Sequence, residues 1–242
     1  MARRSFGGGG GSGTAAVTPA VRKSAAQLAK VALGYVQEES GTVRVEDYVT
    51  VLATLTGEAA LLAADLYDIE TSTITPGAPV FGDAINCNLS GDQSDLAKCP
   101  ADSVVGILVS ELVPATVPLD LFRPLDGLYA WVAASVGKAA WGNVTTSVAA
   151  SNKPHVMPLR LAYELRGAVD AAQSKAGLAR DLRHVVCAVA LADCLKQVKP
   201  ACDMSMAVTL AMEVAFGTAK MAPMSRAAFE TVARSEGQRK QQ

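Results

Sequence analysis

Leu178–Val198 reads LARDLRHVVCAVALADCLKQV, and its centre, the eleven residues Val185 to Leu195, carries one charge, Asp193, among apolar or small side chains. Such a run is too long for an ordinary strand and too short to cross a bilayer. It reads as a helix packed on most of its sides, and a helix of that kind needs other helices around it.

Composition points the same way. Half of the 242 residues are apolar and 19% are charged, but aromatics make up 5%, so Ala, Val, Leu and Met carry the hydrophobicity. Small and unbranched side chains suit closely packed helices, whereas a β-sandwich wants more Val, Ile, Thr, Tyr and Phe. The expected fold class is all-α: one compact bundle of about seven or eight helices. A Gly-rich disordered arm (1–17) precedes the helical domain (18–233), and a solvated tail (234–242) follows it. The Pro-punctuated connector 114–124 is a candidate divide between two helical subdomains.

Local signals place the helices. Thr18-Pro19 opens one that runs to about Glu39, and a second runs from about Glu46 to Tyr67, although TVRVEDYVTVLATLT has strand-like β-branching at its start. The stretch Thr71–Pro100 is irregular, with a short helix from Pro79 to Leu89 expected inside it. Asp102 or Ser103 caps a helix that runs to Val113 and stops at Pro114, and another runs from Leu125 to Ala140. Pro158 opens a helix broken at Gly177, the Leu178–Val198 helix follows, and Asp203 caps the next. The last three long helices are joined by short turns and are expected to be antiparallel neighbours.

Charge is segregated along the chain. Residues 1–37 hold five bases and no acid, 38–120 hold fourteen acids against two bases, and 121–242 hold nine acids against fifteen bases. The bases are dispersed and lack interleaved aromatics, so complementary surfaces within the fold or across an oligomer contact are expected, not nucleic-acid binding. Five cysteines in no paired framework, and a glycine run in place of an apolar leader after MARRSF, suggest reduced thiols in a cytoplasmic protein. The apolar spans Val104–Leu119, Leu128–Ala150 and Met204–Ala222 are interrupted by Glu111, Lys138 and Glu213. Each such residue costs about 2.5–3.5 kcal/mol at a bilayer centre, so no membrane span is expected.

Two histidines limit the chemistry. His155 sits in a Pro-flanked loop. His184 shares a helical face with Cys187, Leu191, Leu195 and Val198, where an imidazole is usually structural. No C-x-x-C occurs, and the Glu-x-x-His pairs of di-iron bundles are absent, so neither metal nor cofactor is expected. Asn86–Gly91 begins like a calcium loop but has Ala97 where a bidentate Glu belongs. Glu58, Glu111, Glu164, Asp193 and Glu213 each interrupt an apolar helix and are expected to pair with Lys138, Arg160, Arg166 or Lys220, with Asp193 reaching Lys196 or Gln197.

Two functional expectations follow. The first is a helical module without catalysis that binds a protein partner or itself through Ala- and Met-rich faces. The second is a helical enzyme or small-ligand binder whose pocket is lined by His184, Glu111 and Glu213, with Asp83 and Asn86 projecting from the rim loop 71–92.

Overall fold

The computed structural model describes residues 17–37, 41–65, 67, 69, 72 and 74–231; the expected arm and tail lie outside these, apart from Val17. The described residues form α1 (Pro19–Val36), α2 (Val45–Ala63), α3 (Asp83–Ser90), α4 (Val104–Leu112), α5 (Leu125–Ser135), α6 (Pro158–Lys175), α7 (Arg183–Val198) and α8 (Met204–Ala219), with a further helical stretch over 226–231. The protein is all-helical. No strand forms among the described residues, and the one β contact is an isolated bridge from Pro79 to Met221.

The capping chemistry explains where the helices begin. Thr18 Oγ1 accepts from the Val21 amide at 3.3 Å, Ser103 Oγ from Gly106 at 3.1 Å, and an Asp203 carboxylate oxygen from Ser205 at 2.8 Å. α5 stops five residues earlier than its apolar pattern suggests, because Val136 is extended and Gly137 takes a left-handed φ of +78°. α7 likewise starts at Arg183, since 180–182 close a tight 3-10 turn first.

Packing departs from the expected neighbour order. α6, α7 and α8 are not a three-helix layer: α7 packs mainly on α2, α1 and α4, α8 packs mainly on α2, and α6 rests on α2 and α1. α2 is the helix at the centre. Asp47 through Leu61, fifteen consecutive residues, are all buried. α7 is buried almost as fully, but α2 is covered on every face, its buried Asp47 and Glu58 included, and so has a neighbour on each. The short turn Lys199–Ala201 and the extended Cys202 join α7 to α8. The connector 114–124 contributes Val117 and Phe122 to the same core.

α2 and α8 approach most closely at Gly57, where a Cβ would lie 2.2 Å from the Ala215 carbonyl oxygen and 2.9 Å from the Ala219 nitrogen. Backbone cannot yield as a flexible side chain does, so the helices would have to separate. Gly57→Ala gains about 1 kcal/mol in helix propensity, but overpacking of this kind costs about 1–3 kcal/mol or more. The variant should be less stable than the parent in urea unfolding; equal or greater stability would mean that the two helices are not in backbone contact.

Candidate functional site

Of the residues proposed from sequence, His184, Glu111 and Glu213 each meet separate polar partners. His184 is buried at the start of α7 and its Nε2 lies 3.0 Å from the Asp102 carbonyl oxygen. A carbonyl accepts only, so Nε2 carries the hydrogen and ties α7 to the turn before α4. The unprotonated Nδ1 has no hydrogen-bond partner among the described residues. Burial holds this imidazole below its ordinary pKa, against the opposing pull of Asp102 and Asp181.

Glu111 of α4 accepts from Arg22 at 2.6 Å and Lys196 at 3.0 Å, and Lys196 also meets Asp193 at 2.6 Å. Burial pushes the Glu111 carboxyl up, but its two cationic partners outweigh this and leave it below the ordinary carboxylate value. Glu213 is fully buried on α8 and accepts from Arg123 at 2.5 Å and from the Ser147 amide and hydroxyl at 2.6 and 2.7 Å. Asp83 and Asn86 do come together, on one face of α3 beside Lys220: Asp83 is exposed, and Asn86 Oδ1 accepts from Lys220 Nζ at 2.5 Å.

Some of the expected pairings form and others do not. Glu58 meets Arg166 and Glu164 meets Arg160, as the spacing suggests. Lys220 pairs with an amide rather than a carboxylate, and Lys138 is exposed. Cys187 and Cys194 are buried thiols, and burial pushes Cys187 up to about 12. No group of three His, Cys, Asp or Glu side chains among the described residues could hold a metal ion, and no helix there is long and apolar enough to cross a membrane.

A cleft of about 970 Å³ lies elsewhere, at the C-terminal end of α2. Leu62 and Ala63 end α2, Asp65 turns the chain with a left-handed φ of 51°, and Tyr67 and Ile69 continue the wall. The opposite wall is built by α6 and the turn that leads into α7. There Gly177, at φ +65°, lets the amides of Gly177 and Leu178 bond the Ser174 and Gln173 carbonyls, each at 3.1 Å. The buried Gln173 side chain then donates to the Ala179 carbonyl and fixes the turn.

Three arginines reach this cleft from three separate elements: Arg166 of α6, Arg180 of the turn and Arg183 of α7. Arg166 binds Glu58 through two parallel bonds, Nε at 3.2 Å and Nη2 at 2.6 Å, and Nη2 also reaches the Met224 carbonyl at 3.0 Å. Arg183 is clamped by Asp170 and lies against Gln173. Both guanidinium groups are therefore held in place before anything binds. Arg180 is exposed and makes no ion pair with a described residue, while Asp65 and Asp181 stand exposed at the rim.

No protein-family model matches the chain, and neither a curated protein nor a solved structure matches it.

The Glu58–Arg166 pair makes a direct test possible. Replacing Arg166 by Met strands a carboxylate that is 5% exposed, which should cost about 3–5 kcal/mol in urea or thermal unfolding. The double variant Glu58→Leu with Arg166→Met should recover most of that loss; a single variant without penalty would show that Glu58 finds other solvation.

Proposed function

We propose that the protein binds a small zwitterionic ligand bearing a carboxylate, of the amino-acid type, in the arginine-lined cleft at the end of α2. The observation that carries this reading is the convergence of Arg166, Arg180 and Arg183 on one open volume. Its size is within the roughly 300–1,000 Å³ usual for small-molecule sites. A planar guanidinium matches a carboxylate through paired bonds, and Arg180 is the one of the three without an ion-pair partner among the described residues. Asp65 and Asp181 on the same lining suit an ammonium group, which favours a zwitterion over a simple anion. Tyr67, Ile69 and Leu62 provide the apolar part of the wall.

The test is a thermal-shift panel of amino acids, dicarboxylates and inorganic phosphate. A ligand at about 100 times its Kd adds about 2.7 kcal/mol, or about 5–10 °C in Tm for a chain of this size. Arg180→Ala should abolish the response while leaving the unliganded Tm unchanged. A panel that shifts nothing, or a variant that responds like the parent, would overturn the reading.

Self-association is the second reading, supported by a different observation. Ile74, Phe81 and Trp141 are large apolar side chains that remain 46%, 58% and 42% exposed, and Trp141 Nε1 donates to the Pro76 carbonyl at 3.2 Å, which sets it beside the 74–81 segment. A second copy of the chain would cover this surface. Sedimentation should then show mass rising with concentration, and Phe81→Asp should return the protein to monomer; a strict monomer at high concentration removes this reading.

A further inference from the structure

Lys220 follows the last residue of α8 and is 3% exposed, but among the described residues no carboxylate lies within ion-pair distance of it. Its Nζ donates to a neutral acceptor, Asn86 Oδ1, and stands 6.0 Å from the centre of the Phe81 ring. The segment that carries Phe81 is held in register against it: the Val80 amide bonds the Lys220 carbonyl at 2.8 Å, and the Ala222 amide bonds the Ala78 carbonyl at 2.8 Å. An ammonium enclosed without a counter-ion is costly, and losing its proton is the least expensive remedy.

We propose that Lys220 is a carbonyl-reactive amine that captures small aldehydes as an imine beneath Phe81. The nitrogen lone pair attacks the carbonyl carbon, the N–C bond forms, and both nitrogen protons leave with the carbonyl oxygen as water, with no change in oxidation state. Asn86 positions the amine through its acceptor oxygen. Asp83, one turn earlier on the same face of α3, offers a carboxylate to carry a proton between nitrogen and departing oxygen. Phe81, more than half exposed, gives the aldehyde's chain an apolar surface at the entrance. Neither Lys220 nor any of these three partners lines the arginine cleft, so the inference stands apart from the proposed function.

Protonation state agrees with the geometry. Burial lowers the Lys220 pKa to about 8, and Asp83 of α3 is the charged group that opposes it; Asn86 and Phe81, its other named contacts, are neutral. About one amine in five is then neutral at pH 7.4, against about one in a thousand for an ordinary lysine.

The experiment treats the full chain briefly with propanal and cyanoborohydride at pH 7.4 and reads each lysine by peptide mass spectrometry. Lys98, 71% exposed at its side chain and paired with Asp95 at 3.3 Å, and the exposed Lys138 serve as internal controls. Lys220 should be alkylated at least tenfold faster than either, with a rate that rises through a midpoint near pH 8. The preference should vanish in urea, and Lys220→Arg should remove the fast adduct. Labelling of Lys220 no faster than Lys98, or fast only in Phe81→Ala, would show an amine that is merely buried and would overturn the proposal. So would a preference that survives in urea, because it would then belong to the local sequence.

Discussion

A carboxylate in the middle of a helix covered on every side needs a cation to follow it inward. Glu58 sets that condition on α2, and Arg166 of α6 meets it with two parallel bonds. The same guanidinium holds the Met224 carbonyl, so one ion pair fixes α6 and the chain after α8 to the central helix. Because Arg166 is anchored from below, its position in the cleft above is set, and so is that of Asp170 one turn along, which in turn clamps Arg183. A single desolvated pair thus orders most of the site.

The long-range charge pattern has the same logic. The acidic middle of the chain and its basic ends meet inside the fold: Glu58 takes Arg166, and Glu111 takes both Arg22 and Lys196. Segregation along the sequence becomes mixing in space. The pairs differ in burial, however. Glu58 and Glu213 are enclosed, while Arg22 is half exposed, so its contribution is small beside theirs.

Helical periodicity, caps and prolines made the fold class and most helix limits readable, since Thr18, Ser103, Asp203, Pro19 and Pro158 act locally. What they did not convey is the neighbour order. Short turns around Gly177 and Pro200 suggested a layer of α6, α7 and α8, but α2 lies among them because it is buried on every face, and it needs distant partners to cover it. The site was less readable still. Asp83 and Asn86 were visible as polar residues in an irregular stretch, yet Lys220 lies 134 positions from Asn86, and no local pattern announces that contact. The cleft did leave a trace: Arg166-x-x-x-Asp170 and Arg180-Asp181-x-Arg183 bracket Gly177 with charge in an otherwise apolar chain.

The placement of α2 also sets a clock. Its covering helices α7 and α8 lie more than a hundred residues downstream, and the last of them ends at Ala219. During synthesis at about 5–20 residues per second, the fifteen-residue buried stretch waits roughly ten to thirty seconds between leaving the ribosome and acquiring its final neighbours. Over that interval an uncovered core helix is available to any other hydrophobic surface, and a chain cut short before α7 never hides it. Depending on its own far end in this way makes this protein's biogenesis, more than its finished stability, sensitive to interruption.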